Sequence, residues 1–472
     1  MPTYPYAPRC IEIHRRCMPA GDSHTTGCYY NVSAPSAATE KYLALYAEAE
    51  AHYVVSCIPN AVHYDNCLCI PAFDENAELL TRLALFAKSH LKCLFILVIN
   101  QPARITAASK ANLALVATIE KKLVKQQSHQ NLNLYALNDA NDLLVVDRYT
   151  QGNQIPSLQG VGQARKIAAD IALRLIALER IRKPWIFCTD ADVTLPANYF
   201  SAVNDKSKGS TNNIAAYLFP FQHVAESEGA DKKLTSFTHL YERRINAYTA
   251  GLTFAGSPYA YHTLGSTLCI SASHYAVVRG FPRRSAGEDF YLLNKLRKTG
   301  EIALLSQPVI FIDARQSTRT PFGTGAAVKT MLSETNDEMA VFYHPVLFDY
   351  LKTLLQWFSH LSATYAAKKA PISANDWQLN LREFGLLANQ DDTQFEAIEE
   401  SLNALDFSRG FSHCLKQTKT ELEFSKQLFY WFDAFRTLKW LHHLRAGNVA
   451  LSNLNEDEFT KQWYLLDNKQ AT

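Results

Sequence analysis

No stretch of this chain is apolar enough to cross a bilayer. The densest run, Leu91 to Ile99, carries Lys92 inside it and falls far short of the roughly 20 residues a membrane helix needs. Neither charge is in surplus: 47 Lys and Arg stand against 45 Asp and Glu, a net of +2. That balance gives no reason to expect nucleic acid or an anionic membrane as the main partner. Met1-Pro-Thr-Tyr-Pro-Tyr has neither the basic start nor the apolar core of a secretory signal, so a cytoplasmic protein is expected. Its 10 cysteines are then expected to be reduced core residues. Cys67-Leu68-Cys69 is not a Cys-x-x-Cys pair, and no second pair completes a zinc site. Internal repeats and low-complexity segments are also missing.

What is present is a composition fit for a large globular core, 47% hydrophobic and 19% charged over 472 residues, enough for two or three domains. Residues 1–64 read as an N-terminal extension, helical over 38–56, that packs on the domain after it. From 65 to 330 strands alternate with helices. Strands are expected at 67–73, 93–98, 143–146 and 185–188, with helices at 77–90, 107–125 and 162–178. That alternation implies parallel βαβ units and a sheet covered on both faces. Further strands are expected at 213–221, 265–271 and 309–313. Residues 331–472 read as a helical domain whose aromatics, Trp357, Phe358 and Trp440 among them, are core at helical spacing.

The chemistry gathers around Trp185-Ile-Phe-Cys-Thr-Asp190-Ala-Asp192. A short buried strand ends where two carboxylates leave the sheet, and Pro196 prevents its continuation. Two carboxylates at the carboxyl edge of a parallel sheet suit Mg²⁺ or Mn²⁺ carrying a phosphate. Pro71-Ala72-Phe73-Asp74-Glu75 and Asn100 fall on the same edge.

Gly160-Val-Gly162 has no third glycine in the place a dinucleotide fingerprint requires. It reads as a loop opening a helix, with Arg165 and Lys166 in the first turn, either binding a phosphate-bearing ligand or simply solvated. Gly287-Glu288-Asp289 opens another helix; the acids there either cap it or hold a catalytic carboxylate on a rigid turn. The loop from Arg315 to Gly325 is basic and glycine-rich. Arg319 within it is expected to fold over a diphosphate or to belong to a simple crossover. His344 is a weaker candidate for a metal ligand.

Taken in order, these segments resemble the family-2 glycosyltransferases of the GT-A fold. The resemblance rests on Ile70-Pro71-Ala72-Phe73-Asp74-Glu75-Asn76, Val98-Ile99-Asn100, Gly162-Gln-Ala-Arg165-Lys166, Thr189-Asp190-Ala-Asp192 with Leu195-Pro196, Gly280-Phe281-Pro282, and Gly287-Glu288-Asp289 with Leu296-Arg297 and Gly300. It spans residues 65–315. It implies a Rossmann-like α/β domain with a mostly parallel sheet, and a nucleotide-sugar donor, UDP- or GDP-linked. Pro71, Ala72 and Glu75 would lie near base and ribose. Asp190 and Asp192 would face the ribose and a Mn²⁺ or Mg²⁺ ion on the diphosphate. Asp289, with Glu288 as its alternative, would be the general base of an inverting transfer. Phe73-Asp74-Glu75 stands where the family usually has Tyr-Asn-Glu. Asn100-Gln101-Pro102 stands where an Asp is common, which puts uracil recognition in question. The Gln-x-x-Arg-Trp signature of processive synthases is absent, so transfer of single sugars is expected.

Two other functions fit parts of the pattern. Asp190-Ala-Asp192-Val-Thr194 also matches the first motif of haloacid-dehalogenase-like phosphatases, with Asp190 as nucleophile. That motif would normally begin its domain, whereas three βα units precede it here. A nucleotide-sugar-binding protein without catalysis is the non-enzyme reading, disfavoured by the presence of both carboxylate pairs.

Overall fold

The computed structural model describes residues 36–471 except 91, 208–212, 225–231, 316–323, 334–340, 368–375, 389–391 and 448–450. Pro35–Thr472 form one compact unit. Arg319 and most of its loop lie outside the described residues.

Among the described residues there are twelve strands: β1 Asn66–Ala72, β2 Cys93–Asn100, β3 Val124–His129, β4 Leu132–Asn138, β5 Asn141–Arg148, β6 Trp185–Cys188, β7 Val193–Thr194, β8 Ile214–Leu218, β9 Phe221–Val224, β10 Leu268–Ser271, β11 Glu301–Leu304 and β12 Ile310–Asp313. Nine form one sheet in the order β11-β8-β10-β6-β1-β2-β5-β4-β3, and β7-β12-β9 form a small second one. The central strands β5, β2, β1 and β6 run parallel. β10 is antiparallel to both of its neighbours, β6 and β8. The class is therefore mixed α/β with a mostly parallel central sheet, followed by a helical C-terminal region.

Strand period explains the double-sided burial. Cys67 and Cys69 join Leu94, Ile96 and Val98 in one core, under helix Gly160–Ala177. Leu68 and Ile70 join Phe95, Leu97 and Ile99 in the other, under helices Glu78–Ala87 and Lys110–Lys122. The described cysteines are all free and buried. The helix expected to reach residue 125 stops at Lys122, and a β3–β4 hairpin precedes β5. Every residue of β3 but His129 is exposed, so this edge strand has no apolar alternation for a sequence reading to find.

The segment before β1 belongs to the same core. Ser36 caps helix Ala37–Leu45, its Oγ accepting from the Thr39 N–H at 3.3 Å. Tyr42 then donates to Asp170 Oδ1 at 2.5 Å, and Tyr275 donates to the same oxygen at 2.8 Å. Glu48 N–H and Lys166 Nζ each reach Asp170 Oδ2 at 2.8 Å. Tyr42, Val54 and Ile58 share one core with Cys67, Cys69 and Leu94. The expected division at 330 lies inside helix Thr324–Ser333. Beyond it, Trp357, Trp377, Phe407 and Trp440 share a third core, which confirms the aromatics there as packing residues. No helix among the described residues is long and apolar enough to cross a membrane.

Candidate active site at the carboxyl edge of the sheet

The chain leaves β1 for β2 on one side and returns later to place β6 on the other, so the strand order reverses at β1. Ligands of open α/β sheets bind in the crevice beyond the carboxyl ends of the strands at such a reversal. Phe73, Asp74 and Glu75 follow β1 there, Asn100 ends β2, and Asp190 and Asp192 follow β6. Thr189 N–H still donates to Cys69 O at 3.1 Å, so the ladder persists up to the first carboxylate. Asn112 ties the two edges together: its Oδ1 accepts from Asp74 N–H at 3.0 Å and its Nδ2 donates to Asn100 O at 3.2 Å.

Two arginines organise this edge. Arg165 is buried on helix Gly160–Ala177. Its Nη2 donates to Asp190 Oδ1 at 2.5 Å, its Nε to Glu288 Oε1 at 2.8 Å and its Nη1 to Gly265 O at 3.2 Å. Burial works against its charge, but Asp190 and Glu288 outweigh burial and raise its pKa above the usual value. Two glycines make room for this fork. A Cβ on Gly265 would sit 2.3 Å from Arg165 Nη2, and one on Gly162 would sit 2.5 Å from Pro282 O. Gly162 thus lets the connection between helices Ala272–Val277 and Glu288–Leu296 press against the helix that carries Arg165, and its N–H donates to Arg284 O at 2.9 Å.

Arg315 is the second. It chelates Glu75 with Nη1 to Oε2 at 2.8 Å and Nη2 to Oε1 at 2.6 Å, while its Nε donates to Asp192 Oδ2 at 2.8 Å. β12 delivers it, since Asp313 N–H donates to Asp192 O at 3.0 Å. Arg82 braces the turn between the two acids by donating to Ala191 O at 2.7 Å.

Asp289 stands beside this network without an arginine of its own among its hydrogen bonds. Its Oδ1 accepts from the Phe290 N–H at 2.7 Å. Burial, then the neighbouring Glu288 charge, push its pKa up to about 7, with Arg165 pulling the other way. A carboxyl group titrating near neutrality on a rigid first turn can accept a proton under ordinary conditions.

The structure redistributes several expected roles. Arg165 and Lys166 are neither solvated nor open to a phosphate in a helix turn. Arg165 serves the carboxylates, and Lys166 is buried on another side of the helix, bound to Tyr42 and Asp170. His344 Nδ1 accepts from the Val346 N–H at 3.3 Å, so its ring caps helix Val346–Ala367. Both oxygens of Glu75 are held by Arg315, and Pro71 and Ala72 are buried within β1. Phe73 lies half-buried beyond them. The expected Mn²⁺ or Mg²⁺ site does not fit these residues as they stand. Asp190 and Asp192 each hold a guanidinium, and the described residues contain no group of three His, Cys, Asp or Glu able to hold an ion. Arg82 and Gly265 went unrecognised in the sequence, and Arg315 was placed only at the start of the basic loop, not with the carboxylates. The one available signal was the position of Arg315 just past the end of an expected strand.

The fold and site together define an α/β protein with a carboxylate-rich crevice at a strand-order reversal. No protein-family pattern matches the chain, and no curated protein does. Among solved structures, the chain is similar to residues 1–349 of Staphylococcus aureus TarS in complex with UDP-GlcNAc. The identity is 12%, covering 81% of this chain and 92% of that one, with a TM-score of 0.33. A longer TarS structure matches at 13% identity over 73% of this chain and 52% of that one, TM-score 0.32. A mycobacterial protein matches at 11% over 57% and 73%, TM-score 0.31. These likenesses are faint, and the chemistry open to the site rests on its own residues.

Proposed function

We propose that this chain is a glycosyltransferase of the GT-A type that moves a single sugar from a nucleotide-sugar donor to an acceptor hydroxyl with inversion. The observation that carries the reading is Asp289, a carboxyl group pushed up to about 7 beside a crevice at the strand-order reversal. As the acceptor oxygen bonds to the anomeric carbon, its proton passes to Asp289. The bond from that carbon to the diphosphate breaks, and its electron pair leaves with the nucleotide. Glu288 does not serve as base, because Arg165 engages it; its part is to raise the basicity of its neighbour. Arg165 and Arg315 fix the four carboxylates around the crevice. No step is assigned to a divalent ion.

The phosphatase reading would make Asp192 the proton donor, yet its Oδ2 is taken up by the Arg315 guanidinium at 2.8 Å. A donor screen separates the readings. UDP- and GDP-linked sugars are incubated with Mn²⁺, with Mg²⁺ and with chelator, and p-nitrophenyl phosphate serves as the phosphatase arm. Nucleotide release that depends on Asp289 supports transfer. Turnover of the aryl phosphate alone, dependent on Asp190, removes it.

A further inference from the structure

Beside the Arg165 fork lies a cavity of about 590 Å³, a size that encloses a small molecule. Two pieces of the site run directly into its wall. Phe290 follows Asp289, and His262-Thr263 leads through Leu264 into Gly265, whose carbonyl holds Arg165. The rest of the wall comes from helix Lys232–Phe254, helix Thr324–Ser333, Tyr343 and helix Ala434–Gly447. The C-terminal helices therefore close a space whose wall includes Phe290, the residue after the proposed base.

The lining is aromatic, with Tyr241, Tyr248, Tyr259, Tyr261 and Tyr343 besides Phe290. It also contains a half-buried cation, Arg244. Its chain neighbour Arg243 is neutralised by Glu456 at 2.5 Å, but no carboxylate pairs with Arg244 among the described residues. A second guanidinium, Arg445, lies over the Tyr343 ring at 5.6 Å and donates to the neutral Asn453 at 2.9 Å. The Tyr343 hydroxyl meets His442 Nε2 at 2.8 Å. Burial, then Arg445 and Arg244, lower the pKa of His442, so both guanidiniums act on this corner. Burial raises the pKa of Tyr241, with Arg244 lowering it and Asp289 adding to the rise. Among the described residues, Glu456 is engaged by Arg243 and Asp433 by Lys298.

We infer that this cavity is the acceptor site and that it selects an acceptor bearing an anionic group, phosphate or carboxylate, which pairs with Arg244 while a hydroxyl faces Asp289. The inference rests on the transfer reading above. A half-buried guanidinium with no carboxylate partner among the described residues gains more from an anion than a fully exposed one would. Aromatic walls accept the C–H faces of a sugar or polyol without demanding further polar partners. A neutral acceptor would bring Arg244 no counter-ion.

The test measures binding of glucose, glucose 6-phosphate and glucuronate to the full chain by saturation-transfer NMR and calorimetry. The charged ligands should bind about tenfold or more tighter than glucose, the scale of a charge-assisted hydrogen bond. Whichever is tighter identifies the anion. Arg244→Gln should remove the preference, Arg244→Lys should retain most of it, and UDP or GDP binding should stay unchanged in both. Equal binding of the three ligands by the unmodified protein overturns the inference with no variant needed, as does a preference that survives Arg244→Gln. Failure of the transfer reading looks different: the charge preference persists while no nucleotide sugar is consumed with any acceptor.

Discussion

Arg165 and Glu288 lie 123 positions apart in the chain and meet at 2.8 Å inside the protein, and the same guanidinium holds Asp190 at 2.5 Å. One side chain therefore sets the spacing between the end of β6 and the first turn of helix Glu288–Leu296. Arg165→Ala should cost roughly 3–5 kcal/mol, because Glu288 is left buried without its partner. Arg165→Lys keeps a charge but cannot fork to two carboxylates. It should retain more stability than Arg165→Ala while losing most transfer. Urea unfolding and a transfer assay, run on both variants, check this. A lysine variant with full activity would show that the fork does not position the site.

Transfer should rise with pH through about 7, as Asp289 loses its proton. Asp289→Asn should lower the transfer rate by ~10²–10⁴-fold, the usual share of a general base, and leave donor binding close to normal. Because the Glu288 charge raises the Asp289 pKa, Glu288→Gln should move the acidic limb of the kcat/KM profile to lower pH. A limb that stays in place in that variant would separate Asp289 from the profile.

The same shift has a consequence for stability. The folded pKa of Asp289, about 7, exceeds the ~3.9 of an unfolded aspartate. Its protonated form thus favours folding, fully below pH ~4, and that advantage is lost as pH rises through about 7. An asparagine cannot ionise, so Asp289→Asn should melt higher than the unmodified protein at pH 8.5, with the difference shrinking towards pH 5. Melting curves at the two pH values decide it; a difference independent of pH would contradict the assigned shift.

Arg315 and a divalent cation would compete for the same oxygens of Glu75 and Asp192. Arg315→Ala should therefore bind Mn²⁺ more tightly than the unmodified protein, by about tenfold or more if one charge-assisted contact is displaced. Electron paramagnetic resonance titration of free Mn²⁺ reads this without any substrate. Unchanged or weaker binding would mean that the guanidinium does not guard these carboxylates.

The parallel core and the strand-end acids were legible because each has a local signature. A buried strand that ends in Asp190-Ala191-Asp192 announces itself within eight residues, as does the helix start at Gly287-Glu288-Asp289. The partners of those acids were not legible. Arg315 reaches Glu75 from 240 positions away, and nothing beside an isolated arginine shows which carboxylate it will meet. Arg165 and Lys166 stand adjacent and look equivalent, yet one step along a helix turns a side chain by about 100°. That rotation sends one to the crevice and the other to Tyr42. The β3–β4 hairpin escaped notice because exposed edge strands carry polar residues, which here blunt an open sheet edge.

Asp170 gathers Tyr42 from 128 positions before it and Tyr275 from 105 positions after it. During synthesis, helix Ala37–Leu45 leaves the ribosome long before the helix that carries Tyr275 has been made. At ~5–20 residues per second, the intervening chain takes roughly 12–47 s to appear. Within that interval helix Gly160–Ala177 supplies Asp170 and Lys166 as partners for Tyr42, but Tyr275 is still missing. The hydrogen-bonded group around Asp170 can therefore close fully only once the chain has been made past Tyr275.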